Sequence, residues 1–217
     1  MAEGDLAGRR VLDVGSGTGR LALALAERGA RVWGVDPAEE MVARAHTNVG
    51  RRVRVKIGRA EALPFKDGWF ERAVLRLVVH LVDRPRALPE LARVLAPGGR
   101  ATIATFTPGH FEWYWLAGVF PEVGEIDRER FPEPETLVAE LREAGFASAR
   151  VTTLAQQGTL SREHALERIR GRYISTLHLL DEDAYAAGLA RAERELPAEI
   201  DTHLEWAVVT ADLPNAQ

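Results

Sequence analysis

Apolar residues fall in short runs that alternate with helix-spaced stretches along the first half of the chain. Val11 to Val14 is one such run, short enough for a buried strand, and it feeds a glycine cluster. The spacing predicts a helix over Leu21 to Ala26, stopped by Gly29, since the residue just past a helix often takes positive φ. Arg31 to Val35 reads as the next strand. Asp36-Pro37 then opens a helix to about Thr47, with proline in a first turn that does not need its N–H. Val53, Val55 and Ile57 alternate with Arg52, Arg54 and Lys56, the period of a strand with one wet face. Ala73 to Leu77 is a further buried strand, followed by a helix from about Pro85 to Leu95. Pro97-Gly98-Gly99 reads as a turn, and Arg100 to Phe106 as a strand. Strands separated by helices predict an α/β fold with a doubly wound, mostly parallel sheet.

The rhythm changes after Thr107. Residues 109–131 show no clear period. Pro134 to Ala144 reads as a helix closed by Gly145, and Ala147 to Leu154 as a strand. Ser161 caps a predicted long helix whose Leu166, Ile169, Tyr173, Leu177 and Leu180 share one apolar face. Asp181 starts another helix that ends at Leu196-Pro197, and His203 to Ala211 is the last strand. The organisation expected is a single domain over 1–217, with excursions at 109–131 and 155–197 acting as a substrate lid. A homodimer contact is the alternative use for the apolar stripe.

Composition narrows the function classes. The chain has 217 residues, 46% of them hydrophobic, and no apolar run long enough for a membrane helix. Met1 to Arg10, with Glu3 and Asp5, lacks the basic start and apolar stretch of a signal peptide, so the cytoplasm is the expected location. The absence of cysteine excludes disulfides, thiolate metal sites and a cysteine nucleophile. A net charge of −4 disfavours a nucleic-acid partner. The histidines form no cluster at ligand spacing, so no metal is expected.

The informative stretch is Val11-Leu12-Asp13-Val14-Gly15-Ser16-Gly17-Thr18-Gly19. Alternating glycines let a strand turn into a helix while a ligand lies on bare backbone. A dinucleotide loop would read Gly-x-Gly-x-x-Gly, but position 20 is Arg20. An acid at Asp13 suits a ligand bearing an ammonium group. Asp36, at the end of the second strand, is placed to accept ribose hydroxyls.

These residues, with Val32 to Asp36, Gly58-Arg59-Ala60-Glu61-Ala62-Leu63-Pro64-Phe65, Phe70-Glu71 and Arg93 to Gly99, resemble the class I methyltransferases, especially the ubiquinone/menaquinone-biosynthesis-like branch. The resemblance covers residues 9 to 108 and weakens afterwards. It implies a Rossmann-like sheet of seven strands, the last antiparallel, and S-adenosylmethionine as cofactor, leaving S-adenosylhomocysteine. It places Asp13, Gly15 and Gly17 at the methionyl part, Asp36 at the ribose, and Ala60 and Glu61 at the adenine edge, with Ser16, Gly19 and Pro37 as further cofactor-binding candidates. Arg76 and Leu77 would flank the cofactor. Many relatives carry an acid where this chain has Arg59, and a guanidinium cannot accept a hydrogen bond from an adenine amino group.

His80 and His110 are the candidate general bases. Trp113, Tyr114 and Tyr173 are candidates for an apolar acceptor pocket, and the aromatic strip around the first two serves equally as a structural anchor. The row Arg51, Arg52, Arg54, Lys56 reads as the charged rim of an edge strand. The expected partner is a small-molecule methyl acceptor. A cofactor-binding protein without transferase activity, and a nicotinamide-dependent oxidoreductase, are the alternatives.

Overall fold

In the computed structural model, β1 (Arg10–Val14), α1 (Arg20–Glu27), β2 (Arg31–Asp36), α2 (Glu39–Val49), β3 (Val53–Ile57), β4 (Phe70–Arg76), α3 (Arg84–Val94) and β5 (Leu95–Phe106) follow one another. Then come α4 (Pro121–Arg130), α5 (Pro134–Glu143), β6 (Ser148–Ser161), α6 (Arg162–Arg170), α7 (Glu182–Glu195) and β7 (Glu199–Asp212). The structure describes residues 6–216; Met1 to Asp5, including Glu3 and Asp5, and Gln217 lie outside them.

The seven strands form one sheet in the order β3-β2-β1-β4-β5-β7-β6. β3, β2, β1, β4 and β5 pair in parallel. β7 runs against its neighbours: Leu213 donates to the Gly99 carbonyl and Gly98 to the Pro214 carbonyl, while Ala147 donates to Asp212. The parallel strands are apolar on both faces because both are covered. Val11, Val32, Val53 and Val74 pack with Ala22, Leu25, Val42 and Val49 on one side. Leu12, Trp33, Leu75 and Ile103 pack with Leu88, Leu91, Leu137 and Leu141 on the other.

Several local expectations change. Pro37 lies ahead of α2, which starts at Glu39, because the Asp36 carboxylate accepts the Ala38 N–H and holds an extended turn first. Pro97-Gly98-Gly99 is no turn but part of β5. Phe70 pairs with Leu95 and Arg72 with Arg100, so the extra residues bulge, with Gly98 at φ +69. Val53 and Val55 are buried, yet Ile57 at the strand's end is 53% exposed. β3 is an edge strand, and its Arg54 and Lys56 lie 5.0 and 5.4 Å over the rings of Trp33 and Phe65.

The described residues divide into two compact units: those up to 105, 134–152 and those from 207 onward in the first, and 106–133 and 153–206 in the second. The two excursions thus fold together around a core of their own, including Leu116, Phe120, Val123, Ile169, Leu177 and Ala192. The predicted long helix from Ser161 is a correction. Ser161 does cap α6, accepting the His164 N–H, but Gly171 ends it and Arg172 adopts φ +43. A 3₁₀ turn, Ser175–His178, then carries Leu177 inward. Ile169 and Leu177 are wholly buried within the unit, so the stripe needs no second copy to cover it. Arg172 pairs with Glu182 and Arg170 with Glu193.

Candidate functional site

The order of the sheet reverses between β1 and β4, and in open α/β sheets such a crevice outside the carboxyl ends of the strands is where ligands bind. A cleft of about 690 Å³, counting its open mouth, lies there. The ends of β1, β2, β3 and β4 contribute Gly15, Asp36 with Pro37, Ala60 with Glu61, and Arg76 with Leu77. All seven were read from the sequence.

The glycine loop is tied down by β2, with Gly15 and Ser16 both donating to the Val35 carbonyl, at 2.8 and 3.0 Å. Gly15 has φ +68, and a Cβ there would lie 2.3 Å from Val78 Cγ2. Gly17 also has positive φ, but nothing lies within 4 Å of where its Cβ would be, so its backbone is open to approach. Gly19 stands immediately before α1. Asp36 accepts the Gly17 N–H at 2.8 Å with one oxygen and the Ala38 N–H at 3.0 Å with the other. Each oxygen keeps a lone pair for a further donor.

Asp13, 2% exposed, lies beneath the first turn of α1. Burial pushes its carboxyl up to about 7; the Ala22 N–H opposes this, the Asp36 carboxylate adds to it and the Arg76 guanidinium counters it. Asp13 Oδ2 and Ser16 Oγ are buried without a protein partner. Leu77 adopts φ +56, an unfavourable backbone for a leucine, while its N–H binds the Ala104 carbonyl. Strain of this kind clusters at ligand sites. Glu61 accepts the Asp83 N–H at 2.9 Å and lies 3.9 Å from Arg59, so it braces the loop before α3.

His80 sits half-buried in a 3₁₀ turn, Val79–Leu81; its neighbours Val78, Leu81 and Val82 line the cleft and His80 does not. Those three apolar residues were missed, because a 3₁₀ turn gives no recognisable period. In the structure Leu81 is left 52% exposed, its side chain facing open space at the cleft.

The remaining candidates belong to the second unit. His110 is 1% exposed, stacked 4.3 Å from Phe106, and its Nδ1 accepts the Glu205 N–H. Nε2 therefore carries the proton, and it has no partner. Burial, with His203 adding to it, pushes His110 down to about 4. The hydroxyls of Tyr114 and Tyr173 share a hydrogen bond of 2.5 Å. Burial raises both phenols above their ordinary range. Trp113 is 75% exposed beside a surface groove. Among the described residues, no three of His, Asp or Glu converge as a metal site, and no helix is long and apolar enough to cross a membrane.

Residues 12–103 match the methyltransferase domain family. The chain is 37% identical to a demethylmenaquinone methyltransferase of Thermus thermophilus over 64% of its own length and 74% of the relative's. It is 39% identical to an uncharacterised methyltransferase of Mycobacterium tuberculosis, over 61% of this chain, and spans 56% of that relative's length. In fold it is similar to phosphoethanolamine N-methyltransferase 2 of Haemonchus contortus, solved in complex with S-adenosyl-L-methionine. The TM-score is 0.62 at 24% identity, covering 97% of this chain and 50% of that one.

Proposed function

The chain belongs to the S-adenosylmethionine-dependent methyltransferase family, and from that premise we propose that it transfers a methyl group from S-adenosylmethionine to a small-molecule acceptor by direct displacement. The observation that carries the reading is Asp36. Its carboxylate is oriented by two backbone donors at the mouth of a cleft and retains the lone pairs that adjacent ribose hydroxyls require. Asp13, with a buried oxygen lacking a partner, suits a ligand ammonium. The open backbone at Gly17 gives a ligand room to lie on the loop. The residues present thus fit this cofactor. They fit a dinucleotide less well, because Arg20 stands where the third glycine would have to be.

When bound, the cofactor supplies an activated methyl group that a nucleophile displaces in line. The protein's own contribution is alignment and exclusion of water. Gly15 and Asp36, with the open backbone of Gly17, position the ligand; Ala60 and Glu61 line the same cleft, and Val78, Leu81 and Val82 give it an apolar side that excludes water. A base is needed only where the acceptor must shed a proton from oxygen or nitrogen. With a pKa of about 4, His110 is too weak a base for that task near neutrality. The name of the Thermus relative supports a quinone-like ring as acceptor. In this reading the second unit serves acceptor selection, through Trp113, Tyr114 and Tyr173.

Calorimetric titration with S-adenosylhomocysteine and with NAD tests the cofactor, and coupled detection of S-adenosylhomocysteine released in the presence of demethylated quinones tests transfer. Binding of the sulfur nucleoside alone, with acceptor-dependent turnover, is expected. Binding of NAD alone overturns the reading; cofactor binding without turnover on any acceptor supports the non-enzymatic alternative.

A further inference from the structure

The two edges of the sheet are built differently. β3 forms one edge and carries Arg54 and Lys56, with Arg51 and Arg52 beside it. Inserting a strand beside it would set another chain against a row of cations, the usual protection of an exposed edge. β6 forms the other edge, and it lacks that protection. From Val151 to Leu160 the sequence is Val-Thr-Thr-Leu-Ala-Gln-Gln-Gly-Thr-Leu, with no charge and no proline. Every residue from Val151 to Thr159 is exposed, Leu154 to 53%. Both faces of the strand are therefore wet along this length, and one row of its backbone donors and acceptors faces away from β7. Threonine, valine and leucine favour strands because they pack on neighbours, and here those neighbours are lacking.

We propose that the outer edge of β6, centred on Thr153 to Thr159, is a self-association surface on which a second copy of this chain pairs its own β6 antiparallel about a twofold axis. A second copy fits for two reasons. Antiparallel pairing of a strand with itself is self-complementary, so each unpaired row satisfies its equivalent. An uncharged segment sets no like charges against each other, whereas the same pairing at β3 would oppose Arg54 and Lys56 to themselves. A charged peptide, by contrast, would find no counter-charge between Val151 and Leu160.

Sedimentation velocity of the full chain at micromolar concentrations tests the proposal, with Gln156→Lys as the perturbing variant and Arg54→Ala as the control at the other edge. Gln156 is exposed, so a lysine there leaves the fold intact, which circular dichroism and the melting midpoint verify. The expected result is a dimer for the parent and the control, and a dimer at least tenfold weaker for Gln156→Lys. Because the chain has no cysteine, single cysteines at Ala155, Gln156 or Gln157 report proximity independently. A short bismaleimide should link copies through at least one of them. A parent that stays monomeric, a dimer indifferent to Gln156→Lys, or a dimer that no β6 cysteine cross-links overturns the proposal.

Discussion

Asp13→Asn removes a titrating carboxyl while keeping the oxygen that receives the Ala22 N–H. In the folded chain burial raises the carboxyl from 3.8 to about 7. Between those values the native state holds a proton that the unfolded chain has released, so stability falls as pH rises through the window. Below it both states are protonated, and above it both are ionised and the full penalty applies. At about 1.4 kcal/mol per unit, a displacement of roughly three units corresponds to about 4 kcal/mol. The variant does not titrate there. Its stability advantage over the parent, measured by urea unfolding at fixed pH values, should be smallest at pH 4 and grow by about 4 kcal/mol towards pH 8. Other groups titrate in both proteins and largely cancel. The same variant should bind S-adenosylhomocysteine more weakly, since the partner for its ammonium is lost. Parallel stability curves from pH 4 to pH 8 would refute the argument that Asp13 is a strained, buried acid.

Asp36→Ala should weaken S-adenosylhomocysteine binding by about 1.5–3 kcal/mol, the loss expected for a hydrogen bond to a charged group; unchanged calorimetric affinity would reduce Asp36 to a brace for the loop. His110 acts on stability in the opposite pH sense to Asp13. Its pKa is lowered from 6.5 to about 4, so its contribution is complete above 6.5 and is lost as pH falls towards 4, on the order of 3 kcal/mol. His110→Phe should flatten that acid limb in urea unfolding, and an unaltered limb counts against it. Gly188→Ala should destabilise by about 1–3 kcal/mol through overpacking, because the new Cβ would fall 2.1 Å from Phe120 Cε1; a neutral result in denaturant unfolding would show that Phe120 can give way. Tyr173→Phe should lower acceptor turnover and leave cofactor affinity intact, and equal loss of both would point to a folding role.

The parallel half of the fold was legible because each strand buried on both faces announces itself as an apolar run, and because glycine and acid positions recur at strand ends. Asp36 could be placed in this way, whereas Glu61 and Leu77 were placed only by the resemblance of their segments to the methyltransferases. The second unit was harder to read. α4 buries Gly124 and Asp127, residues that a hydrophobic pattern scores as exposed, so its period vanished. Asp127 is accommodated by the Thr176 hydroxyl at 2.5 Å and by Arg130, partners 49 and 3 residues away. The long outer half of β6 has no buried face, hence no alternation to detect. Leu166 to Leu180 kept helical spacing across a break at Gly171, because a 3₁₀ turn can meet the same spacing.

β7 lies between β5 and β6 in the sheet, although β6 precedes it in the chain. Val209 and Ala211 complete an apolar layer begun by Leu12 and Val14, close to two hundred residues earlier. A growing chain therefore reaches β6 with nothing for it to pair with, and β5 keeps an open edge until the last strand is made. Contacts this distant in sequence slow folding. During synthesis, the sheet can be finished only after nearly the whole described chain is available. Interruptions before β7 should leave an adhesive, half-built sheet that chaperones must hold.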